Sequence, residues 1–262
     1  MTKAALVSER ERINALKAAL PEKEISIVLP AYNEASRIEK CVREVERAIS
    51  SISSSYEIIV AEDGSTDGTH CIVANLSENN SHLSFLHSPV RLGKGKAIKN
   101  ALRSAKGDVI VFIDVDLSAN LNALPHIVQI AKEQRGLAIG SRHVKGSRVQ
   151  RPFTRTVFSL IYNLLARAVF LDGIHDHQCG FKAMSREVAK VVRDNVKSAG
   201  FFLDTEMILQ CKRLGFPVVE VGVEWSEIKK RSESVIKPLH DAAKMGIDLL
   251  RFRLNTKSLE NS

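Results

Sequence analysis

The chain has 262 residues, a net charge of +8, 44% hydrophobic and 26% charged residues, and 5% aromatics. That composition is globular and fits one large α/β domain; the positive excess suits an anionic partner, and the lack of basic residues interleaved with aromatics speaks against nucleic acid. Cys41, Cys71, Cys179 and Cys211 form no CxxC pair, which argues against a zinc site or a disulfide framework and fits a reducing, cytoplasmic setting.

Residues 1–22 read as a charged helical extension without the apolar core of a signal peptide. Glu24–Pro30 predicts a strand, and Ala35–Ser50 a helix with Ile38, Val42, Val45 and Ile49 on one face. Tyr56–Ala61 is a second strand, broken at Asp63-Gly64-Ser65. A helix from about Asp67 to Leu76, a strand near Leu83–His87 and a helix over Gly93–Ala105 follow. Asp108–Asp114 is a continuous apolar run, as expected of a strand covered on both faces. A helix at Asn122–Gln134 and a strand at Leu137–Gly140 complete a βαβα series. This order predicts an α/β fold with a mostly parallel sheet flanked by helices, and a ligand at the carboxyl ends of the strands. Beyond it, Phe153–Leu171 is a long apolar helix carrying Arg155 and Arg167, and Asp176–Lys182 a turn into a strand. Phe202–Leu214 is helical, Pro217–Val223 a strand and Val235–Leu254 a terminal helix. No apolar run reaches the ~20 residues of a membrane span.

Three polar clusters follow strands. In Asp114-Val115-Asp116, alternate residues of an extended segment point the same way, so both carboxylates can face one hard cation such as Mg²⁺ or Mn²⁺. The bland alternative is a pair of solvated loop aspartates, and the position after a buried strand disfavours it. In Glu62–Asp67 a carboxylate can accept from a base or ribose, while Ser65 or Asp67 caps the next helix. In Pro30-Ala31-Tyr32-Asn33-Glu34, Tyr32 can pack on a base and Glu34 can reach a polar ligand. Lys94 and Lys96 can touch a diphosphate. Arg142, Arg148, Arg151 and Arg155 crowd the approach to the apolar helix; arginine suits phosphate through its planar fork, and a solvated basic loop is the alternative. Asp204 and Glu206 are candidate bases or sugar contacts, or simply the polar start of a helix. His175 or His177 can approach a metal, although a structural role is the simpler reading.

The ordered series IVLPAYNE, VAEDGSTDGT, FIDVDLS, RLGKGKAIKNAL, GSR, DHQCGFK, FFLDTEM and VGVEWSEIKKRSESVIK resembles the inverting family-2 glycosyltransferases of GT-A (Rossmann-like) fold. Within them it looks most like the dolichyl-phosphate glucosyltransferases and mannosyltransferases. The resemblance spans roughly residues 24–250. It implies that Pro30, Tyr32, Glu34, Glu62, Asp63, Lys94, Val115 and Lys229 contact a nucleotide-sugar, with Asp114 and Asp116 holding the metal. Glu62 departs from the family's usual aspartate, and Ser118 stands where some mannosyltransferases have a ligating glutamine. The segment Lys229–Val235 resembles a diphosphate-closing loop, but with Lys229, Ser232 and Val235 in place of its arginine, glycine and lysine. Arg142, Arg155 and Ser159 would bind the phosphate of a dolichyl or polyprenyl acceptor; Asp114, Asp116, Arg142 and Asp204 form the catalytic set.

The implied organisation is a glycosyltransferase domain over 23–234, divided into a nucleotide-sugar half (23–140) and an acceptor half (141–234). An amphipathic helix and tail follow at 235–262. With the helix Phe153–Leu171, that terminal helix is expected at the interface of an anionic membrane, giving a peripheral attachment; packing on the core or a dimer contact is the alternative for both. The implied donor is UDP-glucose or a related UDP-sugar; GDP-mannose, or a glycan hydroxyl as acceptor, are the alternatives. A nucleotidyltransferase would need a Gly-rich loop where PAYNE stands. A pure nucleotide- or membrane-binding module has little use for paired carboxylates at a strand exit.

Overall fold

The structure, a computed structural model, describes residues 23–227 and 246–254. The N-terminal extension, Lys229 and the segment Lys229–Val235 lie outside the described residues. Of the expected terminal helix, residues 246–254 are described and are helical.

The strands are β1 (Lys23–Ala31), β2 (Tyr56–Asp63), β3 (Leu83–Ser88), β4 (Gly107–Ile113), β5 (Leu137–Ser141), β6 (Arg148–Gln150), β7 (Phe181–Ser185), β8 (Val218–Gly222) and β9 (Glu224–Ser226). The helices are α1 (Ile38–Ser50), α2 (Thr69–Glu78), α3 (Lys94–Ser104), α4 (Leu124–Gln134), α5 (Phe153–Phe170), α6 (Arg186–Asn195), α7 (Leu203–Arg213) and α8 (246–254). Seven strands form one sheet in the order β3-β2-β1-β4-β7-β5-β8, and β6 pairs with β9 as a separate parallel ribbon.

Side chains alternate across the sheet, so both faces are covered. In β4, Val109, Val111 and Ile113 join the core under α1, α2 and α4 through Ile38, Val42, Val73 and Ile127. Ile110 and Phe112 join the opposite core under α3, α6 and α7 through Ile98, Val188 and Met207. Helix α6 was not expected from the sequence; Ser185 caps it by accepting the Val188 N–H at 3.3 Å.

One strand breaks the parallel rule. β7 runs antiparallel to both β4 and β5. Its first residue, Phe181, pairs with Ile113, the last of β4. The loop entering β7 therefore lies at the same sheet edge as the exits of β1, β2 and β4. This reversal carries the DHQCG segment to the DVD segment.

Helix α5 is inverted relative to an ordinary surface helix. Its buried stripe is Ser159, Tyr162, Asn163 and Ala166, whereas Phe153, Phe158, Leu160, Ile161, Leu164 and Leu165 face outward. The Tyr162 hydroxyl and Thr205 Oγ1 share a buried hydrogen bond of 2.7 Å, tying α5 to α7. α8 seats Leu249 against Tyr162, Ala166 and Phe202. No helix among the described residues is long and apolar enough to cross a membrane.

Candidate active site

The chain leaves β4 through a tight turn. Val115 is buried and separates the Asp114 and Asp116 side chains, and Leu117 adopts a left-handed φ of 48°. Asp116 Oδ1 accepts the Ser118 N–H at 3.0 Å. The Asp114 N–H donates to the Gly180 carbonyl at 3.0 Å, and a Cβ on Gly180 would lie 1.8 Å from Asp114 Oδ2. Only glycine leaves room there for the carboxylate.

Four charges interlock behind this turn. Lys94 Nζ lies 2.8 Å from Asp114 Oδ1 and 3.4 Å from Asp204 Oδ2. Lys182, fully buried, donates at 2.6 Å to Asp204 Oδ1 and at 2.6 Å to the Cys179 carbonyl. Burial works against the Lys94 charge, but Asp114 and Asp204 hold its ammonium above the usual lysine range. Burial pushes the Asp114 carboxyl upward, with Asp116 and Asp204 adding to this and Lys94 opposing it.

The exits of β1 and β2 are laced together. Asn33 N–H donates to Ser65 Oγ at 2.9 Å, Glu34 N–H to Thr69 Oγ1 at 2.8 Å and Ala35 N–H to Asp67 Oδ2 at 3.0 Å. Asp67 also accepts the Thr69 N–H at 3.0 Å, one position ahead of Gly68, the N-cap of α2. Burial raises the Glu34 carboxyl to about 7; Arg37, 2.6 Å away, opposes the shift while Asp116, Asp114 and Asp67 add to it. Asp63 accepts the Leu92 and Gly93 N–H groups at 2.7 and 2.8 Å, clamping the chain before α3. Glu62, its side chain fully buried, holds the Ser65 N–H and His87 Nδ1. The Glu62 and Asp63 carboxylates, expected to contact the nucleotide, are engaged by backbone amides and His87. Arg91, outside the expected site residues, lies 3.9 Å over the Tyr32 ring. Pro30, next to last in β1, pairs with Ala61 of β2.

The arginines around the start of α5 disperse. Arg142 is bidentate to Asp176, Nε to Oδ2 at 2.7 Å and Nη2 to Oδ1 at 2.8 Å, and its guanidinium lies 4.8 Å from the Trp225 ring centre. It acts as a structural brace between β5 and the loop entering β7. Burial disfavours the Asp176 charge, but Arg142 holds this carboxyl well below the usual range. Arg148 pairs with Glu224 at 3.3 Å and Arg155 with Glu227. Ser159 is buried and accepts from Asn163 Nδ2 at 3.4 Å, so it sits inside the protein. Among the described residues Arg151 makes no carboxylate pair of its own: burial, then Arg142, lower its pKa to about 10, with Asp176 and Glu227 opposing and Arg155 adding slightly. Its Nη2 is buried without a hydrogen-bond partner among the described residues. Glu206 accepts the Lys197 and Ser198 N–H groups at 2.9 and 2.8 Å, so the structural alternative holds for it. His175 bonds Glu220 and His177 bonds Asp172, each at 2.8 Å, which leaves both as structural groups.

Because Arg142 and Asp176 are both buried, Asp176→Asn strands a cation. Its expected cost is about 3–5 kcal/mol of stability. Urea unfolding should show a clearly lower midpoint, and an unchanged midpoint would deny the brace its role.

A cavity of about 1140 Å³ opens beside Asp116, between α1, the 115–122 turn and the β6–β9 ribbon. No cluster of three or more His, Cys, Asp or Glu side chains among the described residues forms a closed metal cage. The site fits an open Mg²⁺ or Mn²⁺ instead. Gly180 makes room for one hard carboxylate, Asp116 supplies another, and such ions complete their shell from water and substrate phosphate.

A family model described as glycosyl transferase family 2 matches residues 26–193. Glycosyltransferase AglD of Haloferax volcanii is 38% identical over 231 residues, covering 87% of this chain and 36% of its own, so this chain spans little more than a third of that relative. The dolichyl-phosphate beta-glucosyltransferase ALG5D of Trichomonas vaginalis is 31% identical over 253 residues, covering 90% of this chain and 76% of its own. Among solved structures, glucosyl-3-phosphoglycerate synthase of Mycobacterium tuberculosis, in complex with Mn²⁺, UDP and glucosyl-3-phosphoglycerate, superposes with a TM-score of 0.64. It is 25% identical, covering 91% of this chain and 81% of its own.

Proposed function

The chain belongs to glycosyl transferase family 2, and on that premise we propose that it transfers glucose from UDP-glucose to a dolichyl or polyprenyl phosphate with inversion. The observation that carries this reading is the fate of the candidate bases. Asp204 has its oxygens engaged by Lys182 and Lys94, and Glu206 has both on backbone amides. A hydroxyl acceptor must lose a proton as it attacks, which calls for a base. A phosphomonoester is already anionic and needs none, so positioning and charge stabilisation suffice.

Each residue then has a task. Asp114 and Asp116 hold the divalent cation, which when bound stabilises charge on the departing diphosphate. Lys94 borders the same space and faces the diphosphate. Tyr32 offers an aromatic face to the base, and the chain clamped by Asp63 forms the pocket wall. Arg151 is the receptor for the acceptor phosphate, since its Nη2 is buried without a partner among the described residues and an anion would satisfy it. The dolichyl-phosphate glucosyltransferase named above supports the lipid acceptor and the sugar, and the solved relative's UDP and Mn²⁺ support the donor and metal. A small phosphorylated acceptor would leave the outward apolar face of α5 without purpose. That face favours peripheral attachment to an anionic bilayer.

A donor and acceptor screen tests the reading. With Mn²⁺ or Mg²⁺ and a short polyprenyl phosphate, UDP-glucose is expected to give product, while the matching free polyprenol gives none. Preference for GDP-mannose, or efficient transfer to the alcohol, would overturn it.

A further inference from the structure

We infer that Lys94 is an internal cation that competes with the divalent metal for Asp114, so that metal affinity is coupled to arrival of the donor diphosphate. The inference rests on the assignment of the metal to Asp114 and Asp116.

The geometry of Asp114 supports it. Oδ2 is pressed toward Gly180, where even a Cβ would be 1.8 Å away. Oδ1 faces the Lys94 ammonium at 2.8 Å. A cation shared between Asp114 and Asp116 would therefore meet the positive charge of Lys94 at close range, and in a partly desolvated site that repulsion is strong.

Lys94 cannot yield by moving its helix. The start of α3 is locked: Gly95 N–H donates to the Ala199 carbonyl at 2.7 Å, and a Cβ on Gly93 or Gly95 would approach that loop's carbonyl oxygens to 2.5 and 2.3 Å. Glu206 in turn holds the loop through the Lys197 and Ser198 amides. Only the Lys94 side chain is left to swing. Asp204, 3.4 Å from Nζ, offers it a second anchor, and the buried Lys182 fixes Asp204 in place at 2.6 Å. Once a diphosphate enters, Lys94 gains a new anionic partner and releases Asp114 to the metal. Lys182 is thus a positioning residue for Lys94.

Linkage makes this measurable. Mn²⁺ binding to the full chain is read by electron paramagnetic resonance, with and without UDP. Wild type is expected to bind Mn²⁺ weakly alone and more tightly with UDP, with a coupling in the range of about 5–150-fold. Lys94→Met is expected to bind Mn²⁺ without UDP about tenfold more tightly than wild type, with most of the UDP enhancement gone. Lys94→Arg, which keeps the charge, should stay near wild type. Because methionine at this site can disturb the fold, Lys94→Gln is measured in parallel, and circular dichroism checks each variant. If wild type with UDP binds no Mn²⁺, the metal assignment itself fails. If it does bind, but neither neutral variant gains affinity without UDP, the competition is refuted and the metal assignment stands.

Discussion

Asp116→Ala is expected to reduce transfer by about 10³-fold or more, because several kcal/mol of charge stabilisation at the leaving diphosphate depend on the metal and each 1.36 kcal/mol is a factor of ten. The fold should survive. Asp116 is partly exposed, and its carboxylate accepts a local hydrogen bond from the Ser118 N–H, worth about 1 kcal/mol. Asp114 is a poorer probe. It is bound to Lys94, packed on Gly180 and fixed to β7, so its loss would disturb structure and chemistry together. Steady-state kinetics at saturating Mn²⁺ and a thermal melt decide the matter. Turnover close to wild type with an unchanged melt would remove the metal from Asp116.

The sequence exposed those parts of the site that depend on local pattern. β4 reads as doubly covered because its apolar run is unbroken, and Asp114 and Asp116 share a direction because strand side chains alternate. Gly180 and Lys182 were visible only as letters of a family motif. Their reasons come from β7 running against β4, a reversal that no periodicity records, which sets Gly180 behind Asp114 and Lys182 beneath Asp204. Long-range ion pairs were equally hidden. Lys94 and Asp204 meet across the sheet edge from distant parts of the chain, and Arg142 finds Asp176. Charge alone suggested that the arginines before α5 form one phosphate cluster. The folded chain spends Arg142, Arg148 and Arg155 on carboxylates and leaves the Arg151 Nη2 without a partner among the described residues. Helix α6 escaped notice because the charged residues of Arg186–Asn195 mask a narrow apolar stripe of Val188, Ala189 and Val192.

Leu160→Glu combined with Leu164→Glu is expected to abolish co-flotation with anionic vesicles while leaving the fold unchanged. An ordinary surface helix hides its apolar stripe and shows its polar one. α5 does the opposite, burying Ser159 and Asn163 while Leu160 and Leu164 are 48% and 65% exposed, and Leu171, just past its end, is 87% exposed. α8 continues the face with Ile247, Leu250 and Leu254, and it is joined to α5 through Leu249 and the Phe170–Phe252 contact at 5.9 Å. An exposed apolar surface of this kind marks an interaction site. Arg167 and Arg251, both exposed, add a basic margin suited to anionic headgroups. A bilayer is the occupant that fits the proposed long-chain acceptor, whose phosphate would reach the cleft while its tail stays in lipid. Burying one leucine is worth about 1.5–3 kcal/mol, so losing two and adding two charges should lower vesicle affinity by more than about 10²-fold. The sites are solvent-facing in the free protein, so the melting temperature should hold or rise. Wild type should float with anionic vesicles at low salt, less so at high salt, and the double variant should stay at the bottom of the gradient. Failure of the wild type to float would transfer this face from a bilayer to a protein partner or a second copy, which sedimentation of the chain alone would then reveal as a dimer.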